Sequence, residues 1–593
     1  MVDLTLFQYS DILFGLLFVL FWFVVITAIP GLSVLTFLYK DLKRYGIIEL
    51  SILAIGIGIS YLVILGYFLD EFLIFNLITV ILFLLLFPCL VILRYHKDIF
   101  HLFKTLRNQL KEDVLRTILL DKIKSIKISA STVILLLVIC FIIFIELNDL
   151  TKSIVMPVSD TWFWLLESKK IAINGHLTTE PGSIAYIYFL RFPRGAAYLL
   201  ASLFLPNLIN PYYIILFIGP FLSLLQCLGV YIASKKIIGS DKFAIYAVLV
   251  YGTSRLIIWR GKIYTTESLG LFLIITLALI LFEKNQEADF LGLLILSGLG
   301  LTSFGSFGPI ILPTLLYIVL FKSHKTKIVT IGVIIGGSLL LPVFRQSLWI
   351  LIRDANLNAN VFTLATFINN AQWTFGYSLA FSFIGVIYYF LNRSSERMFY
   401  VMCFLELFIL INFIELLYVW MNVRIFPFFS IFASTLTAQG LQSTLKGFRS
   451  ILTSLREKGN VKSFIIHFII VICIVYQVFF GMVRGYHATI ARRYNSEDIA
   501  AALWIYDNAP ETATILVLAQ DSGPYSSILY PRKLIHDNEI YNYSPESLVS
   551  YCTQNNISYI VLEIDAFLQS IKVNDHFKEV YSNVKILIIE FNP

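Results

Sequence analysis

The apolar run SASTVILLLVICFIIFIELN occupies residues 129–148, and the segment VSDTWFWLLESKKIAINGHL follows it at residues 158–177. The run has about 20 residues, the length that one α-helix needs to cross the hydrocarbon core of a bilayer. Similar runs recur throughout the chain, which is 58% hydrophobic and 14% charged, whereas a soluble domain carries about 25% charge. The bilayer must therefore be the solvent for most of this chain.

The apolar runs predict a polytopic α-helical membrane protein with about 14 transmembrane helices. The first run lacks a small-residue cleavage site, so we interpret it as a true span rather than a removable signal peptide. The predicted spans are residues 11–38, 46–66, 72–94, 129–148, 211–234, 243–258, 267–283, 288–304, 308–322, 327–344, 374–392, 398–419, 425–442 and 464–483.

The loop charges predict which ends of the spans lie in the cytoplasm, because cytoplasmic loops are rich in Lys and Arg. Basic residues cluster after every odd-numbered span up to the fifth, and again after the ninth, eleventh and thirteenth. Alternation then places both termini and the connections 149–210, 259–266, 345–373, 420–424 and 484–593 outside. We expect a multi-pass plasma-membrane protein. The stretch 187–206 is left open as a surface helix, a re-entrant segment or part of a crossing.

The last part of the chain changes character and predicts a small extracytoplasmic α/β domain. SEDIAAALWIYDNAPETATILVL and SPESLVSYCTQNNISYIVLE each read as a helix followed by a strand, an alternation typical of α/β domains. We therefore divide the chain into a three-helix module at 1–128, a transmembrane core at 129–483 and a tail domain at 484–593. The net charge of +7 sits in loops between spans and is not a nucleic-acid signal. The six cysteines have no metal or disulfide spacing.

Asp160 is the first candidate for chemistry. If the segment after Pro157 is helical, then Asp160, Trp164 and Glu167 share one helix face. An acid held beside aromatic side chains at a membrane interface can acquire a raised pKa and act as a base. The alternative is a solvated acid that caps the start of a surface helix.

Two further external stretches carry charged candidates. RLIIWRGKIYTTES at 255–268 places Arg260 and Lys262 near Glu267, which opens a predicted span. These residues are interpreted either as a second acid with phosphate-binding cations or as a favourable acid at a helix N-terminus. In YVWMNVRIFP at 418–427, Arg424 interrupts an apolar run. Arg424 is either a phosphate clamp or an arginine that extends to the interface.

These stretches, in this order and on this side, resemble the GT-C superfamily of membrane glycosyltransferases. DTWFW at 160–164 has the form of the family's acid at the start of the first long external loop. The stretches IAINGHL and FPRGAAYLLASL, the latter with Arg194, resemble the following motifs. The resemblance implies a polyprenyl-phosphate-linked sugar donor, with Glu267 as the acid of the second external loop and Arg424 as the donor-phosphate arginine. Residues 1–128 resemble an extra module found ahead of such cores.

The tail domain resembles the soluble domain of single-subunit oligosaccharyltransferases. LWIYDNAPETATILVLAQDSGPYSSILYPRKLIHDN follows the order of their acceptor-reading region. Ala519-Gln520-Asp521 stands in place of the Trp-Trp-Asp motif, which leaves Asp521 as a candidate while the tryptophans are absent. The resemblance therefore implies a shared tail fold rather than shared sequon recognition.

The resemblance implies transfer of a sugar from a polyprenyl-phosphate carrier to a glycan, lipid or protein acceptor, with inversion. Asp160 would be the general base and Glu267 its helper, while Arg424, Arg260 and Lys262 would bind phosphate; Trp164, Arg194 and Asp521 are acceptor or loop candidates. No cofactor is firmly implied. Three alternatives remain: a metal-dependent oligosaccharyltransferase-like enzyme in which Asp160 and Glu267 bind Mg²⁺ or Mn²⁺, a transporter or lipid flippase, and a non-catalytic assembly protein.

Overall fold

The structure is a computed structural model of the chain. It describes residues 6–39, 42, 44–95, 129–152, 159–176, 194–207, 210–254, 257–258, 264–283, 286–322, 376, 378–414, 419–454, 459–487, 496–518, 523–535, 544–563, 576–583 and 586–592.

Helices occupy every predicted span except 327–344, which lies outside the described residues, as does the loop 345–373. The apolar runs form helices because a helix satisfies all backbone hydrogen bonds within itself. The helices of the bundle are α1 (Leu6–Leu38), α2 (Ile47–Glu71), α3 (Leu77–Arg94), α4 (Ala130–Lys152), α5 (Ser159–Asn174), α6 (Gly195–Phe204), α7 (Pro211–Ile238), α8 (Asp241–Gly252), α9 (Thr266–Leu281), α10 (Gln286–Thr302), α11 (Phe304–Phe321), α12 (Ser378–Leu391), α13 (Ser395–Ile414), α14 (Val419–Ser454) and α15 (Gly459–His487).

Several helices are long and apolar enough to cross a membrane. Within the described residues, five meet that criterion by length and composition: Leu13–Leu38, Ile47–Glu71, Leu77–Arg94, Pro211–Ile238 and Phe464–Val483. Shorter apolar helices accompany them, including Ala130–Glu146 and Thr266–Leu281. The chain is a membrane protein, in agreement with the prediction from composition.

Helix α2 lies inside the bundle although it belongs to the predicted three-helix module. It packs so closely against α1 that a Cβ on Gly58 would overlap the carbonyl of Thr27. A Cβ on Gly56 would likewise collide with Thr276 on α9. Small residues allow this close backbone approach between membrane helices. The module is therefore in direct contact with the predicted core, and its boundary at residue 128 stays a prediction.

One end of the bundle carries a set of ion pairs, and we call it the ion-paired end. The pairs join residues that the loop charges placed in cytoplasmic connections to acids at neighbouring helix ends. They are Lys236 with Glu49 and Glu283, Arg44 with Glu283 (3.4 Å), Lys322 with Asp289 (2.9 Å) and Lys235 with Asp241 (2.8 Å). These basic residues meet at one end, as the predicted alternation requires.

The opposite end carries two short helices that do not span the bundle, α5 and α6. Helix α6 covers the described part of the open 187–206 stretch, and all ten of its residues are buried. Helix α5 ends where Gly175 adopts a positive φ of 76°, the conformation that terminates many helices. We call this end the loop end.

The tail forms a small α/β unit against the loop end, as its helix-strand alternation predicts. The elements are α16 (Ser496–Asn508), β1 (Thr514–Val517), α17 (Gly523–Leu529), β2 (Lys533–Ile535), α18 (Pro545–Gln554), β3 (Tyr559–Glu563), β4 (Phe577–Ser582) and β5 (Ile586–Phe591). Ser544 caps α18, with Pro545 at the first helical position. The sheet order is β2-β1-β3-β5-β4; β1 runs parallel to β2 and β3, whereas β5 runs antiparallel to β3 and β4.

Candidate active site

Asp160 lies in the first turn of α5, so the helical prediction for this segment is correct. Its side chain lies outside the part of the structure that is described. The described residues that follow it, Thr161 and Trp162, are 1% and 2% exposed. The turn that carries Asp160 is therefore packed inside the protein rather than displayed on a free surface loop.

Three different parts of the chain hold this first turn. The Thr161 hydroxyl makes a long hydrogen bond of 3.5 Å to the carbonyl of Tyr264, just before α9. The Trp162 ring stacks on Tyr212 at the start of α7, with centroids 5.7 Å apart. The Ser527 hydroxyl of α17 donates to the Trp162 carbonyl at 3.0 Å. The position of Asp160 is thus set jointly by the bundle and the tail.

Glu267 lies in the first turn of α9 and is 5% exposed. Thr265 caps this helix, and its side chain and that of Ser268 form a reciprocal capping box. The Thr266 hydroxyl donates to Glu267 Oε2 at 3.1 Å. A helix N-terminus is a favourable place for a carboxylate. The sequence therefore folds locally into a turn that holds an acid at the loop end.

A buried hydrogen-bond network supports the turn that carries Glu267. Gln226 Nε2 on α7 donates to the carbonyl of Ser268 at 2.7 Å, and the hydroxyl of Tyr251 on α8 donates to Gln226 Oε1 at 2.8 Å. Gln226 and Tyr251 are 3% and 0% exposed. Because buried polar groups that are fully hydrogen-bonded rigidify their surroundings, this network fixes the first turn of α9 against two other helices.

The structure brings the turns of Asp160 and Glu267 together. Tyr264, which accepts the hydrogen bond from Thr161, precedes Glu267 by three residues. The Tyr264 hydroxyl also donates to the carbonyl of Ala196 on α6 at 2.8 Å. The two acid-bearing turns, which the sequence separates by about 100 residues, are therefore neighbours at the loop end.

The phosphate-binding candidates are only partly described. Arg424 lies within α14, but its side chain is outside the described atoms, as are Arg260, Lys262 and Asp521 altogether. Ser430 follows Arg424 by six residues, about 9 Å along the helix axis. The Ser254 hydroxyl, just past the end of α8, donates to Ser430 Oγ at 3.5 Å. This contact places α14 beside the end of α8.

Trp164 and Glu167 both lie on the buried side of α5. Trp164 is 5% exposed and packs edge-on against Phe163. Glu167 is fully buried and bonds to Lys170 Nζ at 3.1 Å. Burial raises the pKa of the Glu167 carboxyl, and the ammonium of Lys170 opposes that rise. Trp164 is thus a packing residue of α5 in this structure.

Arg194 forms an ion pair that the sequence did not indicate. Its Nη1 lies 3.0 Å from Asp70 Oδ2 at the end of α2, and the Tyr198 hydroxyl donates to the same oxygen at 2.7 Å. Asp70 is 4% exposed. The one signal in the sequence was an acid just beyond a predicted span. Arg194 therefore joins α6 to the N-terminal helices.

Lys169, like Asp70, is a residue that the sequence analysis did not single out. Its Nζ donates to the carbonyls of Ser527 (3.2 Å) and Ile528 (2.7 Å) on α17, and the residue is 5% exposed. Burial, aided by the nearby charge of Arg532, lowers the pKa of Lys169 to about 7. Two neighbouring lysines in a helix give no sequence signal that one of them contacts a helix of the tail.

No metal-ligand cluster is found in the part of the chain that could be searched. Among the described residues, no three or more His, Cys, Asp or Glu side chains lie close enough together to hold an ion. That search does not include the carboxylates of Asp160 and Asp521. The metal-dependent alternative is accordingly left for experiment.

The fold is similar to that of solved GT-C glycosyltransferases. ArnT from Cupriavidus metallidurans, bound to undecaprenyl phosphate, matches with a TM-score of 0.50 at 11% identity, over 78% of this chain and 98% of that one. The oligosaccharyltransferase AglB from Archaeoglobus fulgidus, in complex with an inhibitory peptide and a dolichol-phosphate, gives a TM-score of 0.41 at 12% identity, over 73% of this chain and 69% of that one.

Sequence comparison adds no closer relative. No protein-family model matches the chain, and no curated protein matches it in sequence. The likeness to ArnT concerns the fold, and it agrees with the GT-C architecture that the external motifs predicted.

Proposed function

We propose that this chain, with its GT-C-like fold and the neighbouring turns that carry Asp160 and Glu267, is a membrane glycosyltransferase. It transfers a sugar from a polyprenyl-phosphate-linked donor to an acceptor at the loop end, which faces the extracytoplasmic side. One observation carries the proposal: the hydrogen bond from Thr161 to Tyr264 places the turn of Asp160 beside the turn of Glu267.

The donor class is supported by the ligand of the similar structure. ArnT was solved with undecaprenyl phosphate bound, and such a carrier has an apolar tail that a bundle of membrane helices can hold. A lipid-linked donor also agrees with a site at the end of the bundle, where a phosphate can meet water while its tail stays in the bilayer. We assign the same class of carrier to this chain.

Asp160 acts as the general base in the proposed reaction. Its carboxylate accepts the proton of the acceptor hydroxyl while that oxygen attacks the anomeric carbon of the sugar. The bond from that carbon to the phosphate oxygen breaks, and the oxygen leaves with the electron pair as polyprenyl phosphate. Attack from the face opposite the leaving group inverts the anomeric carbon. General-base assistance contributes roughly 10²–10⁴-fold to the rate.

Glu267 and the cations complete the site. Glu267, held by the capping box and by Thr266, orients the acceptor next to Asp160. Arg424, with Arg260 and Lys262, stabilises the charge that develops on the leaving phosphate. Stabilisation of developing charge by positioned donors is often the largest single catalytic term.

Replacing the base tests the proposal. The Asp160→Asn variant in nanodiscs is supplied with an undecaprenyl-phosphate-linked hexose and a hydroxyl acceptor that the wild type glycosylates. It should release undecaprenyl phosphate at least about 100-fold more slowly than the wild type. Binding of undecaprenyl phosphate itself should be unchanged. Full activity in this variant would show that Asp160 is not the general base.

Asp241→Asn is the matched control, because Asp241 also lies in the first turn of a helix, α8, but at the ion-paired end. Its activity should equal that of the wild type. A second arm adds excess EDTA to the wild type. Activity that survives the chelator excludes the metal-dependent alternative, and loss that Mg²⁺ or Mn²⁺ restores supports it.

A further inference from the structure

The tail contacts α5 along the whole length of that helix. The Ser527 hydroxyl donates to the Trp162 carbonyl in the first turn, at 3.0 Å. Lys169 Nζ donates to two carbonyls of α17 in the middle of the helix. Asn174 Nδ2 in the last turn donates to the Tyr530 hydroxyl at 2.7 Å. The tail is thus attached to α5 at three levels by side chains distant in sequence.

The first two of these levels, at Trp162 and Lys169, are closely packed and shielded from solvent, whereas the hydrogen bond of Asn174 is exposed. Ser527, Trp162 and Lys169 are 2%, 2% and 5% exposed, and Tyr525 on α17 is fully buried. Lost hydrogen bonds at such a buried contact are not replaced by solvent, so each of them matters for the geometry.

Lys169 satisfies groups that α17 cannot satisfy by itself. Ser527 and Ile528 lie in the last turn of α17, and the last carbonyls of a helix have no partner within that helix. A lysine side chain from another element can donate to such carbonyls. Lys169 therefore binds the tail to α5 by capping α17 from outside.

The hydrogen bond from Ser527 restrains the first turn of α5, which carries Asp160. Trp162 is two residues from Asp160 in the same helical turn. A donor fixed in the tail and bonded to the Trp162 carbonyl therefore limits movement of the backbone that carries Asp160. The bundle supplies the other restraints, from Tyr264 and Tyr212.

We propose that the tail is a positioning element for the reaction, in which Ser527 and Lys169 of the α5–α17 contact hold the first turn of α5 in its active position. The inference rests on the proposed function of Asp160. Ser527 and Lys169 act through Trp162 and α5 and do not touch substrate. Misplacing a reacting group by about 1 Å can slow a reaction about 100-fold, so release of the tail slows the transfer step.

The experiment compares Ser527→Ala, which removes only the hydroxyl, and Lys169→Met, which keeps the side-chain length but removes the amine. Both are full-length proteins in nanodiscs, assayed with an undecaprenyl-phosphate-linked hexose that the wild type turns over. We expect kcat to fall about 10- to 100-fold, with binding of undecaprenyl phosphate changed less than about two-fold. Ser550→Ala, on the exposed side of α18, and Lys533→Met, at an exposed position of β2, are the matched controls and should keep wild-type kcat.

Docking is measured independently of activity by hydrogen exchange. The amides of α5 should exchange faster in Ser527→Ala and Lys169→Met, while β1 and β3 of the tail stay protected. Cysteines at Asn174 and Tyr530, joined by a short bis-maleimide in the Lys169→Met background, should restore kcat. If Lys169→Met unfolds the tail, the result for Ser527→Ala decides.

Failure of this inference differs from failure of the proposed function. Wild-type kcat in Ser527→Ala and Lys169→Met, with Asp160→Asn inactive, overturns the positioning role alone. Full activity in Asp160→Asn overturns both. A fall in kcat without faster exchange in α5 also overturns the positioning role, because the tail would then act by another route.

Discussion

Two cations, the partly buried Arg194 and the buried Lys169, join peripheral parts of the chain to the loop end, and they do so in different ways. Arg194 ties α6 to the N-terminal helices through the carboxylate of Asp70, 3.0 Å away. Lys169 ties α5 to the tail through two carbonyls, and both Lys169 and Arg532 lie against the Tyr506 ring. We call the Arg194–Asp70 contact the N-terminal joint and the contact of Lys169 with α17 the tail joint. The N-terminal joint pairs a cation with a carboxylate, whereas the tail joint pairs an amine with uncharged backbone carbonyls.

We infer that the stability of the N-terminal joint does not depend on protonation, whereas that of the tail joint does. In an ion pair with a buried carboxylate, the protein loses much stability only when one of the two partners is removed. For Lys169, burial and the nearby charge of Arg532 instead lower the pKa and so favour the neutral amine, which still has two N–H groups for its two acceptors. We therefore expect the N-terminal joint to be permanent and the tail joint to respond to its surroundings.

The largest expected effect comes from breaking the ionic joint. Asp70→Asn removes the buried carboxylate that Arg194 and Tyr198 share. Removal of one partner of a buried pair costs about 3–5 kcal/mol, and we expect the lower end of that range because the Arg194 side chain is 24% exposed. Chemical denaturation in detergent, followed by helical circular dichroism, measures the loss. Glu71→Gln, at the exposed neighbouring position, is the control and should change stability by less than about 0.5 kcal/mol. A loss under about 1 kcal/mol for Asp70→Asn would erase the distinction between the joints.

A smaller effect is expected from the tail joint. Lys169→Met leaves two helix-terminal carbonyls without a donor, which costs roughly 1–3 kcal/mol. Part of that cost is offset, because the variant also removes the repulsion between Lys169 and Arg532. Native-state hydrogen exchange of the α5 amides gives the free energy of undocking. A cost equal to that of Asp70→Asn would mean that carbonyls hold a cation as firmly as a carboxylate does.

The effect of pH on the free energy of undocking the tail from α5 should be smaller again, and this free energy should rise with pH. The pKa of Lys169 is about 7 in the docked state and about 10.4 when the side chain is exposed. Between these values the undocked state binds more protons, so the free energy of undocking rises with pH, by roughly 1 kcal/mol from pH 7 to pH 8. Below pH 7 both states are protonated and the dependence flattens.

Hydrogen exchange corrected for its intrinsic pH dependence measures this slope. Lys169→Met should abolish the slope, and Lys533→Met should retain it. A docking free energy that falls as pH rises would reverse the proposed protonation state of Lys169.

The smallest effect is expected at an exposed pair in the tail. Lys578 lies 3.9 Å from Glu590, and its side chain is 70% exposed. Lys578→Ala should change the unfolding free energy by less than about 0.5 kcal/mol, since exposed pairs contribute little. Thermal unfolding is sufficient to measure it. A larger change would show that an exposed pair can contribute as much to the unfolding free energy as the buried contacts do.

The regular architecture was predictable because its signals are local. An apolar run of about 20 residues implies a membrane helix wherever it occurs. The loop charges also predicted one shared side for basic residues that meet at the ion-paired end, namely Arg44, Lys235, Lys236 and Lys322. Ser544-Pro545 marked the start of α18 for a similar reason: a cap and a helix-starting proline need only their immediate neighbours.

The joints were not predictable, because nothing local encodes them. Arg194 and Asp70 are 124 residues apart, and Lys169 and Ser527 are 358 apart. Lys169 stands in an ordinary helical stretch, and neither periodicity nor spacing distinguishes it from Lys170. Asp160, Glu267 and Arg424 were reached through their order and sidedness; the structure supports the first two as neighbours through Thr161 and Tyr264.

The separation between Lys169 and its acceptors also has a consequence for biosynthesis. Ile528 is added to the chain 359 residues after Lys169, when every bundle helix, up to the end of α15 at His487, has already been synthesised. Domains made first generally fold first as the chain emerges. The helix that carries Asp160 therefore completes its contacts last, after the bundle has been inserted and the tail has reached the same side of the membrane.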